Sequence, residues 1–268
     1  YYRYSMGKKL SIVGGGKMGE ALLAGLLSAD WASSEDISVV EPDEARREEL
    51  QGKFKEVECS ATLTISDNYL LAVKPQLIST VCEELNIHNP RRVISIAAGV
   101  TIQSIEANFD SDTAVLRVMP NTPAMVGEGM SAIAAGSFTS PEDLDWASSI
   151  LSAVGEVVIV DETALDAVTG LSGSGPAYLF YLAEAMIQAG IANGLDPSVA
   201  DVLTRQTLLG ASTLLTKSGV TPEELRNSVT SPNGTTAAAI QYFQSNNFLA
   251  LVQNAVSAAT DRSKELGS

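Results

Sequence analysis

The residues that most constrain this chain are Gly14-Gly15-Gly16-Lys17-Met18-Gly19. They follow directly on a short apolar run, residues 8–13 (KKLSIV), and lead into a helix-forming run, residues 20–28 (EALLAGLLS). A G-x-G-x-x-G pattern in this setting requires backbone that any side chain would obstruct. Gly14 permits a tight turn, Gly16 lets the backbone approach a pyrophosphate, and Gly19 lets the helix pack on the sheet. The diphosphate then rests on the helix N-terminus, with Lys17 and Met18 of the loop among the cofactor-binding residues. The other reading of the glycines is an ordinary tight turn. The strand-to-helix context favours dinucleotide binding.

A second strand is expected over residues 37–41 (ISVVE), ending in an acid. An acid at this place accepts hydrogen bonds from the adenosine ribose, and its charge repels a 2′-phosphate. Glu41 therefore favours NADH over NADPH, unless it only caps the helix that Pro42 and Asp43 open. Arg46 and Arg47, one turn on, could still serve a 2′-phosphate. The alternation continues with a strand over residues 69–73 (YLLAV), closed by Lys74-Pro75, and a helix through Leu85. Residues 92–97 (RVISIA) run into Ala98-Gly99 and a short helix, and residues 113–119 (TAVLRVM) close on Pro120-Asn121-Thr122-Pro123. Strands over 130–135 and 156–160, with a helix over 141–153 between them, complete the half. This is the pattern of an α/β, Rossmann-like dinucleotide-binding domain, assigned to residues 1–161. Loops following parallel strands gather at one sheet edge, where ligands bind at the switch point. Lys74, Pro75, Ala98, Gly99 and Asn121 are thereby placed around the nicotinamide end of the cofactor.

From residue 163 onward only helices are expected, over about 163–193, 198–218, a short one from Thr221, 237–244 and 248–266. Gly170-Leu171-Ser172-Gly173-Ser174-Gly175-Pro176 interrupts the first. Three glycines in a helix cost about 3 kcal/mol against alanine, and Pro176 removes a donor. The segment reads either as a kink or loop, or as a place where a ligand or partner backbone comes close. Residues 162–268 form a helical domain rich in small side chains, which bury little apolar area each. Such a domain is marginal alone, so an obligate dimer is expected, the alternative being a tightly packed monomer.

Several classes are disfavoured. The net charge of −15 argues against nucleic acid, whose binding depends on clustered Lys and Arg. The apolar runs are too short to span a bilayer, and with no cleavable signal pattern the chain reads as cytoplasmic. Cys59, Cys82 and the single histidine, His88, match no metal-ligand spacing. Residues 1–5 (YYRYS) precede Met6 and are expected to form a poorly ordered end.

Oxidation of an alcohol by a nicotinamide cofactor needs a base, usually His or Lys. After residue 162 the chain has only Lys217 and Lys264 and no histidine. It offers instead the hydroxyls of Ser172, Ser174, Thr230, Ser231, Thr235 and Thr236. That inventory suits reduction of a C=N bond already protonated to an iminium, with the protein positioning the substrate. Residues 231–236 (SPNGTT), at a helix start, are suited to hold a carboxylate.

The motifs Ala72-Val73-Lys74-Pro75, Ala97-Ala98-Gly99-Val100-Thr101 and Met119-Pro120-Asn121-Thr122-Pro123 point further. Joined with residues 166–178 (DAVTGLSGSGPAY) and 230–236 (TSPNGTT), they resemble pyrroline-5-carboxylate reductases. The resemblance covers the chain from Met6. It implies NAD(P)H-dependent reduction of 1-pyrroline-5-carboxylate to L-proline, a dinucleotide-binding domain, a helical dimerisation domain, and often a ring of dimers. By motif, Ala72, Val73 and Ala97 join the cofactor-binding residues. Ser231, Asn233, Gly234, Thr235 and Thr236 form the substrate loop, with Thr236 at the position that hydrogen-bonds the ring nitrogen, and Ser174 is a further substrate residue. Two positions depart from the family: Asn233 stands where the first glycine of SPGGT is usual, and Glu41-Pro42 replaces a small or Asn-Arg type of sequence. Two rivals remain. A 3-hydroxyacid dehydrogenase would need a lysine in the first long helix, and none lies between Ala164 and Thr216. A non-catalytic dinucleotide sensor would have no use for a second polar loop at a helix start.

Overall fold

The computed structural model describes residues 7–110 and 112–267. Residues 1–5, expected to form a poorly ordered end, lie outside the described residues. Contacts divide the chain into two compact units. One comprises the described residues up to Ser174 together with those from Ala258 on, and the other spans Gly175–Ser257.

The first unit is built on an eight-stranded sheet of order β3-β2-β1-β4-β5-β6-β7-β8. Its strands are β1 (Leu10–Val13), β2 (Ile37–Val40), β3 (Glu58–Ser60), β4 (Asn68–Leu71), β5 (Arg92–Ser95), β6 (Ala114–Met119), β7 (Gly129–Ala135) and β8 (Gly155–Ile159). β3 through β6 run parallel, and every residue of β1, β2 and β5 is buried. Apolar strands covered on both faces are the expected content of a parallel sheet. β7 turns back antiparallel to β6, and β8 is parallel to β7. The link from β6 to β7 is a short 3-10 segment, Thr122–Val126, too brief for the crossover a parallel partner needs. β3 was not foreseen: it has three residues, its sequence is Glu-Cys-Ser, and it sits at the sheet edge.

Helices α1 (Lys17–Ser28), α2 (Glu44–Lys53), α3 (Ile78–Asn86), α4 (Ile102–Glu106) and α5 (Pro141–Leu151) flank the sheet. Alternate strand residues feed two apolar clusters, as the pleat requires. Ile12, Leu70, Ile94 and Leu116 pack with Leu22, Leu23 and Leu26 of α1 and Ile150 and Leu151 of α5. Val13, Tyr69, Leu71, Val93 and Val115 pack with Ile78, Cys82 and Leu85 of α3 and with Ile102 and Ile105 of α4.

The glycine-serine segment separates two helices. After α6 (Leu165–Val168) the backbone widens into a π-turn over Thr169–Gly173, with the Ser174 N–H donating to the Thr169 carbonyl at 2.8 Å. A π-turn absorbs one extra residue and occurs often at functional sites. Pro176 is then the second residue of α7 (Gly175–Ala192), where a missing N–H costs nothing.

The second unit holds α7, α8 (Pro197–Ser218), α9 (Pro222–Ser228), α10 (Thr235–Ser245) and the first half of α11 (Phe248–Leu266), which ends in the first unit. Asp196 caps α8 by accepting the Ser198 N–H, and Thr221 and Glu224 form a reciprocal capping box on α9. Gly190 lets α7 and α8 approach closely, since a Cβ there would lie 3.2 Å from that of Ala200. Only Ala200 and Thr204 are buried in this unit. Tyr181, Tyr242 and Leu249 are 74%, 70% and 82% exposed.

Candidate dinucleotide and substrate sites

β1 is flanked by β2 on one side and β4 on the other, which makes its carboxyl end the switch point of the sheet. The glycines there divide their roles as sterics demand. Gly14 has φ +109°, and a Cβ on it would stand 2.5 Å from the Ala72 carbonyl oxygen. A Cβ on Gly19 would stand 2.1 Å from the Gly14 carbonyl oxygen, so this glycine sets the approach of α1 to the turn. Gly16 is different: nothing lies within 4 Å of where its Cβ would be. That face lies open at the start of α1.

Glu41 follows β2 directly. Its Oε2 accepts the Gly15 N–H at 2.9 Å and its Oε1 accepts the Asp43 N–H at 3.0 Å. It does not cap α2, because Asp43 does so by accepting the Arg46 N–H at 2.8 Å. Arg46 donates from Nε to the Gly15 carbonyl at 2.7 Å, from Nη1 to Glu49 at 2.5 Å, and from Nη2 to Glu20. Lys53 joins the same cluster, at 2.9 Å from Glu20 and 2.7 Å from Glu49. Lys53 and then Arg46 hold the Glu20 carboxyl below its usual range, and the same partners bring Glu49 to about 2. Arg47 donates to the carbonyls of Glu41 and Pro42 at 2.9 and 2.7 Å.

The remaining candidate cofactor residues follow the carboxyl ends of their strands. Ala72, Val73, Lys74 and Pro75 follow β4, Ala97, Ala98 and Gly99 follow β5, and Asn121 follows β6. Lys17 is exposed and Met18 half-buried in the first turn of α1. Asn121 is committed within the protein, since its Nδ2 donates to the Ser172 carbonyl at 3.2 Å and its Oδ1 accepts the Met130 N–H at 2.9 Å. Gly99, at φ +77°, lies against the last turn of α11: a Cβ would stand 2.9 Å from the Leu266 carbonyl oxygen. Ser263, in that turn, donates to Asp166 at 2.7 Å. The α11 turn beside the Gly99 loop was missed in the sequence, where no local pattern links residues so far apart.

The second unit carries residues 231–236. The Gly234 N–H donates to the Ser231 carbonyl at 3.0 Å, and Asn233 adopts φ +59°. Asn is among the few side chains that enter this region readily, so it can occupy a place usual for glycine. α10 begins at Thr235, two residues before its expected start. Ser174 belongs to the first unit and residues 231–236 to the second.

Helix starts differ in how they are capped, and α3 and α6, like α1 and α10, have no side-chain cap. Asp43, Thr101, Ser140, Asp196 and Thr221 cap α2, α4, α5, α8 and α9 with their side chains. α1 and α10 begin at Gly16 and Gly234, with no side-chain cap. No intrahelical carbonyl can satisfy their first-turn amides. Among the described residues no group of His, Cys, Asp and Glu is arranged to hold a metal ion, and no helix is long and apolar enough to cross a membrane.

The fold and the glycine loop define an NAD(P)-dependent oxidoreductase with a Rossmann-like domain. Two family models match, one described as pyrroline-5-carboxylate reductase dimerisation over residues 162–266 and one as NADP oxidoreductase, coenzyme F420-dependent, over residues 9–99. The pyrroline-5-carboxylate reductase of Synechocystis sp. is 43% identical over 266 residues, covering 98% of this chain and 99% of the relative. A structure of the Coxiella burnetii enzyme of that name superimposes with a TM-score of 0.91 at 34% identity, covering 97% and 99% of the two chains. The Plasmodium falciparum pyrroline carboxylate reductase, solved with NADP bound, gives 0.84 at 29% identity, with 97% and 98% covered. The chain belongs to the pyrroline-5-carboxylate reductase family.

Proposed function

We propose that this chain reduces the C=N bond of 1-pyrroline-5-carboxylate to L-proline. The observation that carries the reading is the pair of glycine-started, uncapped helices, α1 and α10. One serves the cofactor pyrophosphate and the other the substrate carboxylate. When bound, the nicotinamide cofactor supplies the hydride. Gly14, Gly16, Lys17, Met18 and Gly19 hold its diphosphate. Residues 72–75, 97–99 and 121 shape the nicotinamide end. Ser231, Asn233, Gly234 and Thr235 hold the substrate carboxylate by N–H and O–H donors, and Ser174 contributes a hydroxyl. Thr236 hydrogen-bonds the ring nitrogen as the adjacent carbon is reduced. No strong acid is needed, because the iminium arrives protonated.

NADH is the preferred cofactor. The Glu41 carboxylate is fixed at the end of β2 by two backbone N–H groups, and its repulsion of a 2′-phosphate at contact is on the order of 1–4 kcal/mol. Residues 1–161 and 162–268 are the cofactor and dimerisation domains of a homodimer, further arranged as a ring of dimers. The exposed apolar side chains of the second unit support the dimer. Oxidation of NADH and NADPH followed with and without 1-pyrroline-5-carboxylate tests the reading. Imino-acid-dependent oxidation, faster with NADH, is expected. Turnover of neither cofactor would refute the activity, and a tenfold preference for NADPH would refute the role given to Glu41.

A further inference from the structure

Gly15 is buried between two glycines whose roles are already set, yet neither of its peptide groups is used by a strand or helix. Buried backbone donors and acceptors need partners. Here two side chains supply them: Glu41 accepts the Gly15 N–H at 2.9 Å, and Arg46 donates to the Gly15 carbonyl at 2.7 Å. A Cβ on Gly15 would stand 2.5 Å from Leu50 Cδ1 and 3.2 Å from Glu41 Oε2, so α2 and the end of β2 close directly over this peptide. The rest of the Arg46 guanidinium is taken up by Glu20 of α1 and Glu49 of α2.

We propose that Arg46 is a positioning residue: with Glu41 it clamps the Gly15 peptide from both sides, holds the glycine loop in its binding shape, and is thereby withheld from the cofactor 2′ position. This rests on the dinucleotide reading above but is separable from it. A guanidinium serving a 2′-phosphate would have to release the Gly15 carbonyl, Glu20 or Glu49. A clamp acts on the diphosphate loop shared by both cofactors, so its loss weakens both alike.

The test is calorimetric titration of the full-length protein with ADP-ribose and with 2′-phospho-ADP-ribose. Arg46→Met keeps the aliphatic stem and removes every donor. It is expected to weaken both ligands by the same factor, about 10-fold, as for loss of one hydrogen bond to a charged donor. Maximal kcat at saturating cofactor should stay near wild type while KM for the cofactor rises. Lys53→Met removes ion pairs to Glu20 and Glu49 but leaves the Gly15 peptide untouched, so it should bind both ligands as wild type does. Selective weakening of 2′-phospho-ADP-ribose in Arg46→Met would overturn the proposal and make Arg46 a phosphate ligand. Unchanged binding in that variant, or equal weakening in Lys53→Met, would also overturn it. If wild type binds neither ligand, the dinucleotide reading fails and the clamp with it.

Discussion

Asn121 donates from Nδ2 to the Ser172 carbonyl at 3.2 Å, joining the loop after β6 to the π-turn of the glycine-serine segment. The same carboxamide accepts the Met130 N–H at the start of β7. One side chain thus fixes three segments. Within the π-turn, Gly173 leaves room for Met119, whose Cε would lie 2.5 Å from a Cβ at that position.

Replacing Asn121 by Asp should be worse than replacing it by Ala. The aspartate keeps the acceptor for Met130 but sets a carboxylate oxygen against the Ser172 carbonyl, with the Ser172 hydroxyl, 3.3 Å from Nδ2, as its one nearby donor. A partly buried polar group left unpaired costs about 1–3 kcal/mol. Urea unfolding should show Asn121→Asp destabilised by at least that range and Asn121→Ala by less. Equal stability of Asn121→Asp and wild type would show that the Ser172 contact contributes nothing.

Asn233 makes a second prediction. Its φ of +59° is open to glycine, tolerated by Asn, and an outlier for a β-branched residue. Asn233→Gly should leave KM for the imino acid within about 3-fold, whereas Asn233→Val should raise it by about 10-fold or more through strain of 1–3 kcal/mol. Indistinguishable KM values for the two variants would mean that the loop backbone does not shape the carboxylate site.

How far the sequence disclosed all this depends on the range of the interaction. Gly14 and Gly19 took the steric roles their spacing implies, because strand, turn and helix are contiguous there. Asp196 and Thr221 were legible for the same reason, a cap being four residues of local chemistry. β3 was not, since a three-residue edge strand carries too little pattern. The π-turn was not legible either: its glycines read as helix-breaking, and only Asn121 and Met119, far away in sequence, show what the widened turn accommodates. The double use of Glu41 and Arg46 on Gly15 was likewise invisible. An acid after β2 looks the same whether it faces a ribose or a peptide.

Acid should loosen the cluster of Glu20, Arg46, Glu49 and Lys53. Both carboxyls titrate below their ordinary 4.5 when folded, Glu49 at about 2. Depressed carboxylates stabilise the fold above the unfolded value, and that contribution fades as pH falls through the folded one. The stability difference between wild type and Lys53→Met should therefore be constant above about pH 5 and shrink toward pH 2. A difference that grows on acidification would contradict the assigned partners.

The second unit predicts its own assembly. With Leu249, Tyr242 and Tyr181 exposed to water, each chain leaves uncovered the side chains that usually fill a core. Light scattering should give at least twice the 28.1 kDa chain mass, and dilution should unfold the protein before releasing a folded monomer. Leu249→Asp should lower the melting temperature and favour dissociation. An active species of single-chain mass would rule the dimer out.

Thr236 is the residue on which the chemical reading turns. It is the second residue of α10, half-buried, on a helix that no side chain caps. Two roles are open to a hydroxyl there. It can support the first helical turn, or it can bond the substrate nitrogen as the neighbouring carbon accepts hydride. The two differ in what Thr236→Ala removes. Loss of a helix-end contact lowers stability by about 1 kcal/mol and leaves turnover intact. Loss of a hydrogen bond that strengthens toward the transition state lowers kcat by about 10-fold to 1000-fold. Thr236→Ser, which keeps the hydroxyl, should then retain most activity, and Thr236→Val, which keeps the shape, should not. We expect Thr236→Ala to melt within a few degrees of wild type and to lose at least tenfold in kcat. Unchanged kcat and KM in a variant that melts lower would assign Thr236 to the helix alone.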